Sequence, residues 1–100
     1  MLHTVNKSPF DKNSLKTCLS HSLKDSDILL IEDGVYGAIK DSAMSGDIEK
    51  ALTDRKIYVL ESDIKARGID SSRLVQGVAI VDYGGFVELA ASNDRVQSWL

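Results

Sequence analysis

The chain reads as an α/β domain built around a mainly parallel sheet. Three observations carry that expectation. Short apolar runs alternate with stretches of helical periodicity, the pattern of β–α–β units with right-handed crossovers. The run at 28–31, Ile-Leu-Leu-Ile, has no polar break, as in a strand covered on both faces. Turn and cap residues, Pro9, Gly34 and Gly68 among them, fall between the runs.

Residues 2–5, Leu-His-Thr-Val, form the first expected strand. Pro9 has no backbone donor and biases Ser8 towards extended geometry, so it separates strand from helix. Asp11, Asn13 and Ser14 each suit a helix N-cap. The helix then runs to about Leu23, with Leu15, Cys18, Leu19 and Ser22 or Leu23 repeating at three- and four-residue spacing as one buried stripe. Residues 24–27 make a polar turn before the second strand at 28–31, which Glu32-Asp33-Gly34 ends. A short helix over 35–39 follows, then a polar stretch of small residues at 40–46, expected to be mobile.

Residues 47–53 predict a further helix, with Ile48, Ala51 and Leu52 inward. The third strand is 56–60, and Glu61 or Ser62 opens a short helix that Arg67-Gly68 closes, with glycine after the last turn. Residues 77–81 form the fourth strand, and Asp82-Tyr83-Gly84-Gly85 turns the chain into a helix over 86–91. The remainder is a tail carrying Trp99. A tryptophan there needs cover, so it either folds back as a staple or enters a partner.

One hundred residues suit one domain, and a chain this short has a thin core that a partner often completes. The net charge of −3 and the pI of about 5.2 argue against a large phosphate-binding surface. One cysteine and two histidines supply no Cys-x-x-Cys, no structural zinc set and no internal disulfide, which fits a reducing cytosol. The start shows no charged region followed by a long apolar run, so no signal peptide is expected. The longest apolar block is too short to span a bilayer. No cofactor motif is present: Gly84-Gly85 is not a G-x-G-x-x-G fingerprint, and no phosphate-binding G-x-x-x-x-G-K-[ST] or nucleophile elbow occurs.

Cys18 is the one side chain able to carry a covalent sulfur intermediate. As a thiolate it could attack a sulfane sulfur and become a persulfide, given access and a lowered pKa, with Lys16 and His21 as cationic neighbours. Against this, Cys18 lies on the apolar stripe, and free cysteine is among the most buried residue types. Glu32, Asp33 and Gly34 end a buried strand where open α/β sheets bind ligands; acids there also favour a helix N-terminus. Asp82 and Tyr83 pose the same choice. Asn6, Lys7 and Ser8 could form an anion-friendly turn but suit a solvated loop better, and His3 suits a hydrogen-bonded structural role better than that of a catalytic base. Arg67 and Arg73 suit surface ion pairs.

The opening Met1-Leu-His-Thr-Val-Asn-Lys-Ser-Pro-Phe10, the block 29–36 and the ending Val96-Gln-Ser-Trp-Leu100 resemble the TusB/DsrH family of sulfur-relay subunits. Lys65-Ala-Arg-Gly68 and Val81-Asp-Tyr83 with Phe86-Val87 extend the resemblance over the whole chain. It implies a DsrE/DsrF-like three-layer α/β/α fold. It also implies a cytoplasmic heterohexamer with TusC/DsrF-like and TusD/DsrE-like subunits, no cofactor, and no direct contact with nucleic acid or membrane. In the tRNA-modifying branch such a complex takes persulfide sulfur from a TusA-like carrier and passes it through a TusE/DsrC-like one towards 2-thiolation of the wobble uridine. In the other branch a DsrEFH complex handles sulfur in dissimilatory oxidation. In both, the principal accepting cysteine belongs to the TusD/DsrE-like subunit. DsrH-like members carry a cysteine at the helix position of Cys18, which raises sulfur handling by this subunit, and the DsrEFH branch, as readings beside a purely structural role.

Overall fold

The computed structural model describes residues 1–100. Five strands, β1 (Leu2–Val5), β2 (Asp27–Leu30), β3 (Lys56–Leu60), β4 (Ala79–Val81) and β5 (Val96–Trp99), form one sheet in the order β4-β3-β2-β1-β5. Every pairing is parallel. Between the strands lie α1 (Ser14–His21), a 3-10 helix (Glu32–Ala38), α2 (Ser45–Ala51), α3 (Glu61–Ala66), a 3-10 turn (Ser71–Arg73) and α4 (Tyr83–Ser92).

The register sorts side chains by alternation. His3, Val5, Ile28, Leu30, Ile57, Val59 and Trp99 share one face. Val5, Ile28, Leu30, Ile57 and Val59 join Leu15, Cys18, Val35, Ile48, Ala51 and Ile64 in a 16-residue core cluster. Thus α1, the 3-10 helix, α2 and α3 all cover that face. Leu2, Leu29 and Leu60 point the other way. They are buried but lie outside that cluster. The strand order explains the split. Successive right-handed crossovers from β1 to β4 move in one direction and stack their helices on one face. The return from β4 to the far edge moves the opposite way and places α4 alone on the other. The Asn93 amide, just past α4, donates to Asp27 at 3.0 Å. The result is the expected three-layer α/β/α sandwich, with a fully parallel sheet.

Several boundaries move. Helix α1 stops at His21, so Leu23 falls outside it and is exposed instead of continuing the stripe. No side chain caps the start of α1. The 3-10 helix begins at Glu32, ahead of the expected 35, and α2 begins at Ser45, inside the stretch expected to be a loop. The preceding residues are fastened: Lys40 donates its N–H to Arg73 O, Ser42 Oγ to Ile39 O, and Met44 is buried. Helix α4 starts at Tyr83 because Asp82 accepts the Gly85 N–H at 2.8 Å. Gly68 closes α3 as expected, at φ +65.

The larger correction is the tail, which is strand β5, paired with β1 from Leu2↔Val96 to Val5↔Trp99. Val96-Gln-Ser-Trp alternates weakly and has three exposed residues, so it carries little of the apolar signal that marks the other strands. No helix is long and apolar enough to cross a membrane.

Gly34 is fixed by contact. A Cβ there would collide with the carbonyl oxygen of Val5, a backbone atom that cannot turn aside. Gly34→Ala is expected to cost about 2–4 kcal/mol, read as a lower urea midpoint with an unchanged m-value.

Candidate functional site

Cys18 lies in the middle of α1 with no exposed surface. Burial pushes its thiol up to about 12, against a smaller opposite pull from the Arg55 guanidinium. Neither cationic neighbour weighed from sequence activates it: Lys16 lines an open cavity of about 270 Å³ between α1 and α2 with Ser20, Asp47, Lys50 and Arg55. His21 donates from Nδ1 to Thr17 O at 3.0 Å.

Arg55, which sequence reasoning passed over, organises this region. Its NH1 donates to Leu19 O at 2.6 Å and to Ser22 Oγ at 2.8 Å, and its Nε pairs with Asp54 at 2.9 Å. The guanidinium closes the carboxyl end of α1, where a cation also suits the helix dipole. Only 13% of the Arg55 side chain is exposed. The one available signal was an Asp-Arg pair directly before a strand.

The carboxyl ends of β1, β2 and β3 bring the second group of candidates together. Glu32 adopts φ +50, a left-handed conformation that a non-glycine residue holds only under constraint. Asp63 Oδ2 accepts its N–H at 2.8 Å, and Ile31 donates to Val5 O. Asn6 Nδ2 reaches Glu32 Oε2 at 3.5 Å, while its own Oδ1 is buried without a partner. Asp33 does not cap the helix; it accepts from Arg67, with NH2 at 2.8 Å and Nε at 2.9 Å. Arg67 also lies 3.6 Å from Asp63. Asp33 and Asp63 are thus held by one arginine across the 3-10 helix and α3, while Glu32 is fixed through its backbone N–H. None of the four cavities is lined by Glu32, Asp33, Asp82 or Tyr83. That is the opposite of what a small-ligand site there would show. The role of Asp63 in catching a strained backbone N–H was invisible in sequence, because it depends on β2 and β3 being neighbours.

His3 and Trp99 are joined by an interaction that spans the chain. Trp99 Nε1–H donates to His3 Nδ1 at 3.0 Å, and the rings stand 6.1 Å apart. Trp99 therefore folds back, the first of the two fates considered for it. Arg67 is ion-paired, as expected, to Asp33 and Asp63, whereas Arg73 makes no ion pair.

Fold and site together define a small, fully parallel three-layer α/β domain whose one thiol is in the core and whose Asp33, past the end of β2, is tied to an arginine. Solved structures share this architecture. The YchN protein from E. coli superposes with a TM-score of 0.80 at 20% identity over 97% of each chain. A Methanobacterium thermoautotrophicum protein of unknown function also gives 0.80, at 18% identity over 97% of this chain and 96% of that one. Sequence similarity is more specific. The family model described as DsrH-like protein matches residues 7–96. Proteins named TusB match over 99% of this chain and 100% of their own length. One from Erwinia tasmaniensis is 34% identical and one from Buchnera aphidicola subsp. Acyrthosiphon pisum 32%. The chain belongs to the DsrH-like family.

A thiol titrating at about 12 is thiolate in roughly one molecule in ten thousand at pH 8, against about a quarter for a free cysteine. Folded protein is expected to react with a thiol reagent at pH 8 about a thousandfold more slowly than free cysteine. Denaturant is expected to restore the rate. The check is stopped-flow absorbance with and without urea.

Proposed function

We propose that this chain is a subunit of a TusBCD-like heterohexamer that passes persulfide sulfur towards 2-thiolation of the tRNA wobble uridine. The observation that carries this reading is the end-to-end match to TusB proteins, and family membership supports a place in a sulfur relay. The site favours assembly as the chain's main task. Its only thiol is buried and its pKa is raised, so sulfur is accepted by a homologous TusD/DsrE-like partner, with TusC/DsrF-like as the third subunit. Cys18 is then an accessory group, and its persulfide would require α1 to open. Helix α4 supports the same division of labour. It carries one charge in ten residues, and its Tyr83 and Val87 are 73% and 52% exposed. Apolar surface of that kind suits a chain that works within an assembly. The relay reading places the chain in the cytoplasm, in contact with carrier proteins and not with tRNA itself.

A second reading, the DsrH subunit of a DsrEFH complex in sulfur oxidation, is favoured by one observation. That observation is Cys18 on α1, the helix position at which the family resemblance implies a cysteine in DsrH-like members.

The test is mass spectrometry of the chain co-expressed with its homologous partners. Native spectra are expected to show a heterohexamer with two copies of this chain; a chain that stays alone overturns the assembly role. After exposure to a persulfidated carrier, a gain of about 32 Da is expected on a partner subunit. A gain on this chain that Cys18→Ser abolishes would make Cys18 a carrier in its own right. Loss of 2-thiouridine from tRNA on deleting the gene is expected in the first reading and not in the second.

A further inference from the structure

The two ends of the described chain meet at one buried hydrogen bond whose acceptor can be titrated. His3 lies in β1 and is only 5% exposed. An indole N–H can only donate. With Trp99 Nε1 at 3.0 Å from Nδ1, His3 must keep that nitrogen bare. Protonating it would set one N–H against another in a part-buried contact. It would also leave the indole without an acceptor. Such a contact changes from attraction to repulsion with a single proton.

The rest of β5 is lightly held. Its residues Val96, Gln97 and Ser98 are exposed, and it has one neighbouring strand. Beyond that ladder, the added ties are Thr4 Oγ1 to Ser98 Oγ at 3.2 Å and Ser14 Oγ to Leu100 O at 3.0 Å. We propose that the His3–Trp99 hydrogen bond is a proton-sensitive latch that fastens β5 to the edge of the sheet, and that protonation of His3 releases the strand.

The charges around the latch favour the neutral ring. On the same strand, the Met1 amino group opposes a second positive charge, and so does Arg55 from the turn before β3, despite its pairing with Asp54. The neighbouring strands add no charge, because Ile28 and Gln97 are the residues in register with His3 and Ile57 the next beyond Ile28. From α1, His21 lies 6.4 Å from the Trp99 ring and is the other titratable ring at the latch. Burial, then the amino terminus, then Arg55 lower the His3 pKa below its usual 6.5. The sign follows. The released strand frees His3 to bind its proton at an ordinary pKa, while the fastened state binds it only at lower pH. Fastening is therefore complete above the ordinary value and lost as pH falls through the lowered one. Between the two, the open fraction rises about tenfold per pH unit.

Release has a second readout. Ser14, Cys18 and His21 follow four and three residues apart on one face of α1. Ser14 Oγ donates to Leu100 O, just past β5, and the His21 ring stands 6.4 Å from that of Trp99 in β5. Opening β5 therefore removes cover from the helix face that carries Cys18.

The experiment follows Trp99, the only tryptophan, on the full chain between about pH 7.5 and pH 5. The wild type is expected to show a red-shifted emission as pH falls, at unchanged far-ultraviolet circular dichroism, and its Cys18 is expected to lose reactivity with 4,4′-dithiodipyridine less steeply with falling pH than Cys18 of His3→Asn, because opening offsets the loss of thiolate. His3→Asn keeps an acceptor at the Nδ1 position and cannot titrate, so its emission is expected to stay constant. His21→Gln is expected to respond like the wild type. A wild type without a shift overturns the proposal, as does an equal shift in His3→Asn or loss of the response in His21→Gln. Should His3→Asn not fold, the wild-type indole N–H resonance decides. It must move with the same midpoint as the His3 ring protons; a different midpoint overturns the latch.

Discussion

Strand β1 has a hydrogen-bonded neighbour on each side, and all four of its residues are buried. Almost every other feature is arranged around that strand. On one side β2 carries the 3-10 helix whose Gly34 packs on the Val5 carbonyl. On the other, β5 completes the edge and brings Trp99 over His3. Because β1 sits inside the sheet and all strands run parallel, the chain has to cross back over it once. That single return separates α4 from the other helices. A sheet of five short strands thus obtains two covered faces from a hundred residues, one well packed and one covered by a single exposed helix.

The elements that were legible in the sequence are those where composition and position agree. β3 is found at its expected bounds, because its apolar run lies between charged residues, Lys56 at its start and Glu61 after it. The α3 stop at Gly68 and the Asp82 turn into α4 follow from local chemistry alone. Strand β5 was not legible, since an edge strand that is exposed on most of its residues lacks the apolar pattern that defines a strand. What makes it a strand is the unpaired side of β1, a tertiary fact.

The site shows the same division. Burial of Cys18 could be weighed from its place on the Leu15 and Leu19 stripe. Arg55 and Asp63 could not, because each acts on an element distant in sequence: Arg55 on the end of α1, Asp63 on the strained Glu32 peptide. Both work by supplying a charged partner to a backbone group that secondary structure leaves unpaired. At these two positions charge finishes backbone hydrogen bonding at element ends. That gives a physical reason why acids at strand ends, and an arginine beside them, are not by themselves evidence of a ligand.

The pairing of Leu2 with Val96 also has a temporal side. During synthesis β1 emerges 94 residues ahead of its β5 partner (96 minus 2). At about 5–20 residues per second, that is a wait of roughly five to twenty seconds. Through that interval one edge of β1, with its apolar Leu2 and Val5, is open to any other strand in reach.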